Sequence, residues 1–572
     1  MQKISKSGLC VASFLALALA APVPARADDA AMLKSLQEQI TALQKQVAKL
    51  QAAQATSEKA AKKALNSEPA PTQAARVAPA APAPTPVAAS SAPAPATVAA
   101  ASAATPAKDN GLKGMIKAKT GVDITLGGFV DLTGVYRSKN QSADTGSNFN
   151  TMIPFNNAAN AHRSEFRESA RATRLSLLAT GNPDASTKLT AYFETDFQGT
   201  GTGSTQTQTN SFVPRLRQAF GSYEDNALGL HLTAGQTWSL ATMSSAGIDP
   251  LKPVTPMVLD SGFLPGFTYT RVPQVRIAKD FADKKLWVAL SAESPQAVTG
   301  GICTAGGATA TIGNSPSTGT SPCYSAGNVA SRFNSSYLVS GAAFTGNLQG
   351  SITTDVAPDV LLKVAYDPGW GHYEVFGVTR FFRDTVGSSY HNNYAMGAGV
   401  GAGAVLPVVA KKLDVTASVM AGKGIGRYSS AQMPDFSIAP DGDLKPLSQY
   451  SAILGIIGHP TPAWDTFLFA GMEQTFRHSE PGIINNAYGY GNFGVDNSNC
   501  YEAGNTSCYA QTSSTWQITP GVWHRVYDGN YGKMQLGLQY SWTRRNAFSD
   551  SNGVNPHGIE NIALFTIRYT PF

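Results

Sequence analysis

From Met534 to Thr543 apolar and polar side chains alternate without a break. Met534, Leu536, Leu538, Tyr540 and Trp542 share one face of an extended strand, and Gln535, Gly537, Gln539, Ser541 and Thr543 share the other. The pattern returns as Ala563, Phe565, Ile567 and Tyr569 against Leu564, Thr566, Arg568 and Thr570, and the chain ends on Phe572. A soluble sandwich also alternates, but it turns its apolar face inward and has no reason to end on an aromatic. A membrane-crossing barrel strand needs about 9 to 11 residues, an apolar outside, a polar lumen and aromatics at the interfaces. These two strands meet that description.

Similar segments recur at 122–137, 170–180, 187–197, 213–224, 228–236, 270–279, 284–292, 359–367, 372–382, 391–405, 412–422, 446–457, 464–477, 513–527, 532–545 and 559–570. The connections between them alternate. Short turns stand at 181–186, 225–227, 280–283, 368–371, 406–411, 459–463 and 528–531, and longer loops fall between these turns. Bacterial outer-membrane barrels have short periplasmic turns and long outer loops. The fold expected is therefore all-β, a transmembrane antiparallel β-barrel of 16 strands over residues 120–572, with both termini in the periplasm. The segments 391–405 and 446–457 are the weakest, which leaves 14 or 18 strands as alternatives.

The front of the chain differs in kind. Lys3 and Lys6, the apolar run Leu9 to Ala20 and Ala25-Arg26-Ala27 mark residues 1–27 as a secretory signal peptide. Over residues 28–66, Leu33, Ile40 and Val47 fall at a positions and Leu36, Leu43 and Leu50 at d positions of a short coiled coil. Residues 67–119 are mostly Ala and Pro at their centre, a composition that favours extended chain of about 3.1 Å per residue. Such a linker would let a periplasmic coil sit well below the membrane. No later run approaches about 18 unbroken apolar residues, so membrane insertion must be by strands.

Composition agrees with export and with a barrel: charged residues are 14%, glycines number 54 and mean hydropathy is −0.13. The net charge of +6 belongs to the front end, because residues 120–572 carry 30 basic against 32 acidic groups. No basic stripe with interleaved aromatics is present, which argues against nucleic acid as a partner. Four cysteines follow the signal, as the close pairs Cys303 with Cys323 and Cys500 with Cys508, each within a loop. In an exported protein these are expected to be disulfides, each stabilising its loop by roughly 2.5 to 3.5 kcal/mol on the chain-entropy argument. Neither pair has the spacing of a zinc site.

Catalysis has no constellation to stand on. There is no His-Glu-x-x-His and no Gly-x-Ser-x-Gly, and the one Gly-x-Gly-x-x-Gly match, Gly489 to Gly494, lies in a loop without the flanking strand and helix of a dinucleotide site. No cofactor and no metal is implied. Gly397, Gly399, Gly401 and Gly403 form one face of a strand, where absent side chains allow another chain or a packed loop to approach.

Arginine placement carries the chemistry. Between Pro214 and Tyr223, Leu216 and Phe220 share one face, and Arg215, Arg217, Ala219, Gly221 and Tyr223 share the other. An Arg facing lipid costs roughly 2 to 4 kcal/mol at the midplane, so the Arg face should be the lumen. By the same parity Arg174 points inward, as do Arg276 and Arg380, the last with Glu374. Glu194 and Asp196 also point inward on the neighbouring strand, which leaves two readings open: an anion-preferring wall, or a mixed-charge wall in which the arginines are neutralised. The third long loop, 237–269, is long enough to fold into the lumen or to form an outer lid.

Three short motifs resemble the DcaP-like porins: Gly128-Phe129-Val130-Asp131-Leu132, Arg215-Leu216-Arg217-Gln218-Ala219-Phe220 and Gly235-Gln236-Thr237-Trp238-Ser239. The order of signal, coil, Ala/Pro linker and barrel is similar too. The resemblance implies a homotrimer of 16-stranded outer-membrane channels, an Arg-lined constriction and uptake of dicarboxylates and related small anions. Asp131 departs from the Lys of that family's pattern, and Pro571 interrupts the terminal aromatic phase. The expected function is thus a non-enzymatic porin for small hydrophilic solutes, with Arg174, Arg215, Arg217, Arg276, Arg380, Glu194 and Asp196 lining the pore. The alternatives are a non-specific or phosphate-type pore, and a structural envelope protein whose front end engages peptidoglycan.

Overall fold

The computed structural model divides the chain into a unit over 1–100, of which only the helical residue Lys45 is described, and a unit over 101–572. Described there are residues 121–571, apart from 142, 148, 150–152, 200–211, 260–263, 299–300, 306–307, 313–354, 387–390, 439–442, 480–487, 492, 494–495, 506–507 and 509. The signal, the coiled coil and the linker lie outside the described residues.

Sixteen antiparallel wall strands close on themselves. They are β1 (Val122–Arg137), β2 (in two pieces, Glu165–Ser169 and Arg174–Gly181), β3 (Thr187–Asp196), β4 (Arg215–Asp225), β5 (Leu230–Trp238), β6 (Arg271–Phe281), β7 (Leu286–Glu293) and β8 (Asp359–Tyr366). There follow β9 (His372–Val386), β10 (His391–Val409), β11 (Leu413–Lys423), β12 (Ser448–Thr461), β13 (Trp464–Thr475), β14 (Thr512–Gly529), β15 (Gly532–Ala547) and β16 (His557–Thr570). Each pairs with the next, and β16 pairs back onto β1 from Tyr569↔Val130 to Ile562↔Arg137. All sixteen predicted segments form wall strands, including the two weakest. Their ends shift by a few residues, and the second strand is broken at 170–173, where the Thr173 hydroxyl accepts from the Asp131 N–H in place of the ladder. The short turns gather at one end. One connection at the other end, 387–390, is shorter than the long-loop pattern predicts.

The alternation that predicts the strands also orients them. On β15 Leu538 and Tyr540 are exposed on the outside, and Gln539 and Ser541 are buried inside. In lipid this outward apolar band is satisfied by acyl chains, and closure of the sheet leaves no wall edge unpaired there.

A uniformly polar lumen is not what the interior shows. Inward-facing Trp287, Leu361, Phe376, Val378 and Met420 pack with Leu240, Ala241 and Ile248 of the third loop and with Ile425 and Tyr428 of the sixth loop, 424–447, making an apolar core inside the barrel. The glycine face of β10 is the flat wall beneath it: a Cβ on Gly401 would lie 2.3 Å from the Phe376 ring, and one on Gly403 would lie 2.7 Å from the Met243 sulfur of the third loop. Of the two occupants predicted for that face, the packed loop is the one present.

Of the cysteines, Cys500 and Cys508 form a disulfide. Cys303 lies on a short strand, Gly301–Ala305, but Cys323 is outside the described residues, and so is their predicted bond.

Candidate functional site: an arginine eyelet

The third loop folds into the lumen. It descends along β7 to β9, where Glu293 accepts from the Leu240 N–H at 2.7 Å, Glu374 from the Ser244 N–H at 3.2 Å, and Asp367 from the Gly247 N–H at 2.8 Å. It then crosses the lumen. Trp523 Nε1 on β14 donates to the Met257 carbonyl at 2.8 Å, and Gln539 on β15 accepts from the Leu259 N–H at 2.7 Å. On the return, Glu473 on β13 accepts from the Gly266 N–H at 2.8 Å and from the Ala431 N–H at 2.9 Å, tying the third loop to the sixth. A loop held by wall side chains at this many points is a fixed partition, because these backbone N–H groups have found acceptors in place of water.

Between this partition and β1 to β4, β6 and β16 stands a cluster of guanidinium groups. Asp196 accepts two bonds from Arg215, at 3.0 and 2.7 Å, and one from Arg217 Nη1 at 2.8 Å. Glu194 pairs with Arg217 Nε and, at 3.7 Å, with Arg174. Across the eyelet Arg568 pairs with Asp131 at 2.8 Å. A fifth guanidinium, Arg271, is stacked between the rings of Trp238 and Tyr269, 5.0 and 4.9 Å from their centroids. Among the described residues Arg271 has no carboxylate within ion-pair distance, and its Nη1 is buried without a partner, as is Arg174 Nε. Five guanidiniums thus face three carboxylates.

Local backbone explains why the motif residues meet here. β4 carries a bulge: Glu194 faces Gln218 and Thr195 faces Leu216, so Arg217 is the extra residue. Arg217 and Gln218 therefore both turn inward, and parity reverses beyond them. That corrects the predicted face for the rest of the strand: Phe220 is buried inside and Tyr223 is exposed outside. The bulge leaves the carbonyls of Leu216 and Arg217 off the ladder, and Gln236 Nε2 donates to both at 3.2 Å. The Thr237 hydroxyl donates to Gln218 Oε1 at 2.9 Å. Gly235, at φ +128°, lets β5 come close: a Cβ there would lie 2.3 Å from the Ala219 carbonyl. Gly128 does the same in β1 at φ +126°, with Phe129 beyond it lying under Arg568 and Arg174 at 4.1 and 5.2 Å. Stacking on rings holds a guanidinium plane while leaving its edge nitrogens for a ligand.

Of the predicted lining residues, Arg174, Arg215, Arg217, Glu194 and Asp196 are brought together. Arg276 and Arg380 also face inward but are buried elsewhere. Arg276 donates to the Trp238 carbonyl at 2.7 Å, and Arg380 pairs with Asp359 and Asp435 under the sixth loop. Pattern reasoning did not select Arg271 or Arg568. Arg568 was legible on the polar face of the last strand; Arg271 stands at a strand start, where alternation says nothing about a neighbouring loop.

A closed 16-stranded wall with an internal loop beside a charged eyelet is the architecture of an outer-membrane β-barrel channel. No family model and no curated protein matches the chain. Among solved structures it is similar to the outer membrane channel DcaP of Acinetobacter baumannii, with TM-score 0.52 and 16% identity over 80% of this chain and 99% of that one. It is also similar to an anion-selective porin from Comamonas acidovorans (TM-score 0.39, 11% identity, 78% and 99% covered) and to Salmonella typhi OmpF (TM-score 0.39, 9% identity, 79% and 98% covered). At these identities the first likeness shows the fold, and the fold is that of DcaP.

Proposed function

We propose that this protein is an outer-membrane porin that passes small hydrophilic solutes and prefers small organic anions such as dicarboxylates. The observation that carries the preference is the charge balance of the eyelet, five guanidiniums against three carboxylates, with Arg271 unpaired among the described residues. Arg215 and Arg217 are paired with Glu194 and Asp196, which supports a mixed-charge wall at that pair, and Arg271 on Tyr269 adds positive charge beside it. A planar fork bonds both oxygens of a carboxylate, which suits each end of a dicarboxylate. No reaction is involved. In the same reading residues 1–27 direct export, the coil and linker lie in the periplasm, and the barrels assemble as trimers through their walls. Reversal potentials across planar bilayers with chloride, phosphate and succinate test the reading. Selectivity for succinate over potassium is expected, and selectivity for cations would refute it.

A further inference from the structure

The outer face of the barrel carries a groove that solute passage does not use. It lies over β1, β2, β14, β15 and β16, has a volume of about 440 Å³ and is lined almost wholly by carbon. The strand register explains the depression. Ala563 is paired on one side with Tyr136 and on the other with Tyr540, so a methyl group stands between two rings. Phe166 and Phe565, stacked at 6.5 Å, continue the wall on the Tyr136 side, and Pro520 lies beyond Tyr540.

Four residues along β15 from Tyr540 towards the long loops, about 13 Å at the rise of a strand, the outward side becomes cationic. Arg544 projects there with its charge, and His557 on β16 stands beside it through the pair Asn546↔His557 as a neutral ring that offers an N–H. Between Arg544 and the groove lie Trp542 and Asn561, and Tyr540 Oη donates to Asn561 Oδ1 at 2.7 Å. An aromatic and polar step of this kind belongs at the boundary between acyl chains and headgroups. The acidic residue of this face, Glu168, is two positions nearer the short turns than Phe166 on β2. It repels a phosphate from the groove and leaves the cationic rim as the phosphate's place.

We propose that this face binds a phosphorylated, multiply acylated glycolipid of the outer leaflet, with one acyl chain in the groove and a phosphate at Arg544 and His557. The charge order selects the occupant: an apolar slot within the lipid zone, capped by the Arg544 charge at headgroup height, fits an anionic lipid. A neutral lipid leaves the Arg544 charge unanswered, and the apolar wall of a second copy would bring no anion to it. The inference rests on the reading that places the long loops outside the cell.

Native mass spectrometry of the full detergent-solubilised chain with diphosphoryl hexa-acyl lipid A, its dephosphorylated form and phosphatidylethanolamine tests it. The diphosphoryl lipid should be retained at least tenfold better than the other two. Ala563→Trp, which fills the groove, and Arg544→Gln, which leaves it open, should each lose that advantage while keeping the heat-modifiable gel mobility of a folded barrel. Equal retention of all three lipids would overturn the proposal. So would an Ala563→Trp variant that changes the mass of the assembly and not its bound lipid, because a second copy would then be the occupant. A short epitope inserted after Gly553 checks the orientation separately. Antibody binding on intact cells is expected; failure to bind refutes the orientation, whereas binding without lipid A retention refutes the groove assignment alone.

Discussion

In the proposed porin, Arg271 is the charge that a permeating ion would meet with least compensation among the described residues. Its plane is held by Trp238 and Tyr269, its Nη2 donates to Tyr269 Oη at 3.2 Å, and no described carboxylate pairs with it. A carboxylate about 5 Å away gains about 3 kcal/mol at an effective dielectric constant near 20, before desolvation and counterions are subtracted. If about 1 kcal/mol per permeant charge survives, the factor is about 5 for a monoanion and about 25 for a dianion, at 1.4 kcal/mol per tenfold. Arg271→Gln shortens the side chain but keeps a neutral donor and removes the charge. The variant should lower the chloride-to-potassium permeability ratio about fivefold and succinate influx more steeply, and should leave glucose influx within about twofold. Reversal potentials in planar bilayers and swelling of reconstituted liposomes measure these quantities. Equal losses for succinate and glucose would show that Arg271 shapes the opening and does not select charge. No change in either would place the selecting charge elsewhere.

Other expectations follow from the same geometry. Arg217→Ala leaves Glu194 and Asp196 buried with fewer partners, so a loss of about 3 to 5 kcal/mol is expected in denaturant unfolding; a loss under about 1 kcal/mol would count against the pairing. Gly235→Ala forces a side chain into φ +128° against the Ala219 carbonyl and should cost about 1 to 3 kcal/mol, read as an earlier thermal transition than that of Ala234→Gly. Glu473→Ala removes the oxygen that accepts from both internal loops, so single-channel records should show more open-state fluctuation at neutral pH; a quiet trace like the wild type would mean that the remaining anchors suffice. In the short turn after β2, the N–H of Ser186, its hydroxyl and then the groups of Thr187 donate to Asp184 and hold its carboxyl at about 2. Because this value lies below the unfolded one, the turn's stabilisation is complete above about pH 4 and disappears as pH falls through 2. An NMR titration midpoint near 4 would contradict those bonds.

The sequence by itself determined the wall. Sixteen strands, their inside and outside faces, and the alternation of short turns with mostly longer loops are all local consequences of a period of two between lipid and lumen, and a strand carries that signal in its own residues. Five of the eyelet residues were legible for the same reason, since an Arg on the polar face of a lipid-bounded strand has only the lumen to enter. Tertiary structure decided the rest. The bulge at Arg217 adds one residue to β4 against β3, which reverses the faces of Phe220 and Tyr223, and such a register shift exists only between two strands. Arg276 and Arg380 obey the parity rule, but the third and sixth loops cover them, while Arg271 enters the eyelet through Trp238 and Tyr269. Whether the third loop caps the barrel or crosses it depends on acceptors as far apart in the chain as Glu293 and Gln539, which only closure of the sheet brings around one lumen. Periodicity says which way a wall side chain points; what stands opposite it is set by contacts between residues remote in the chain.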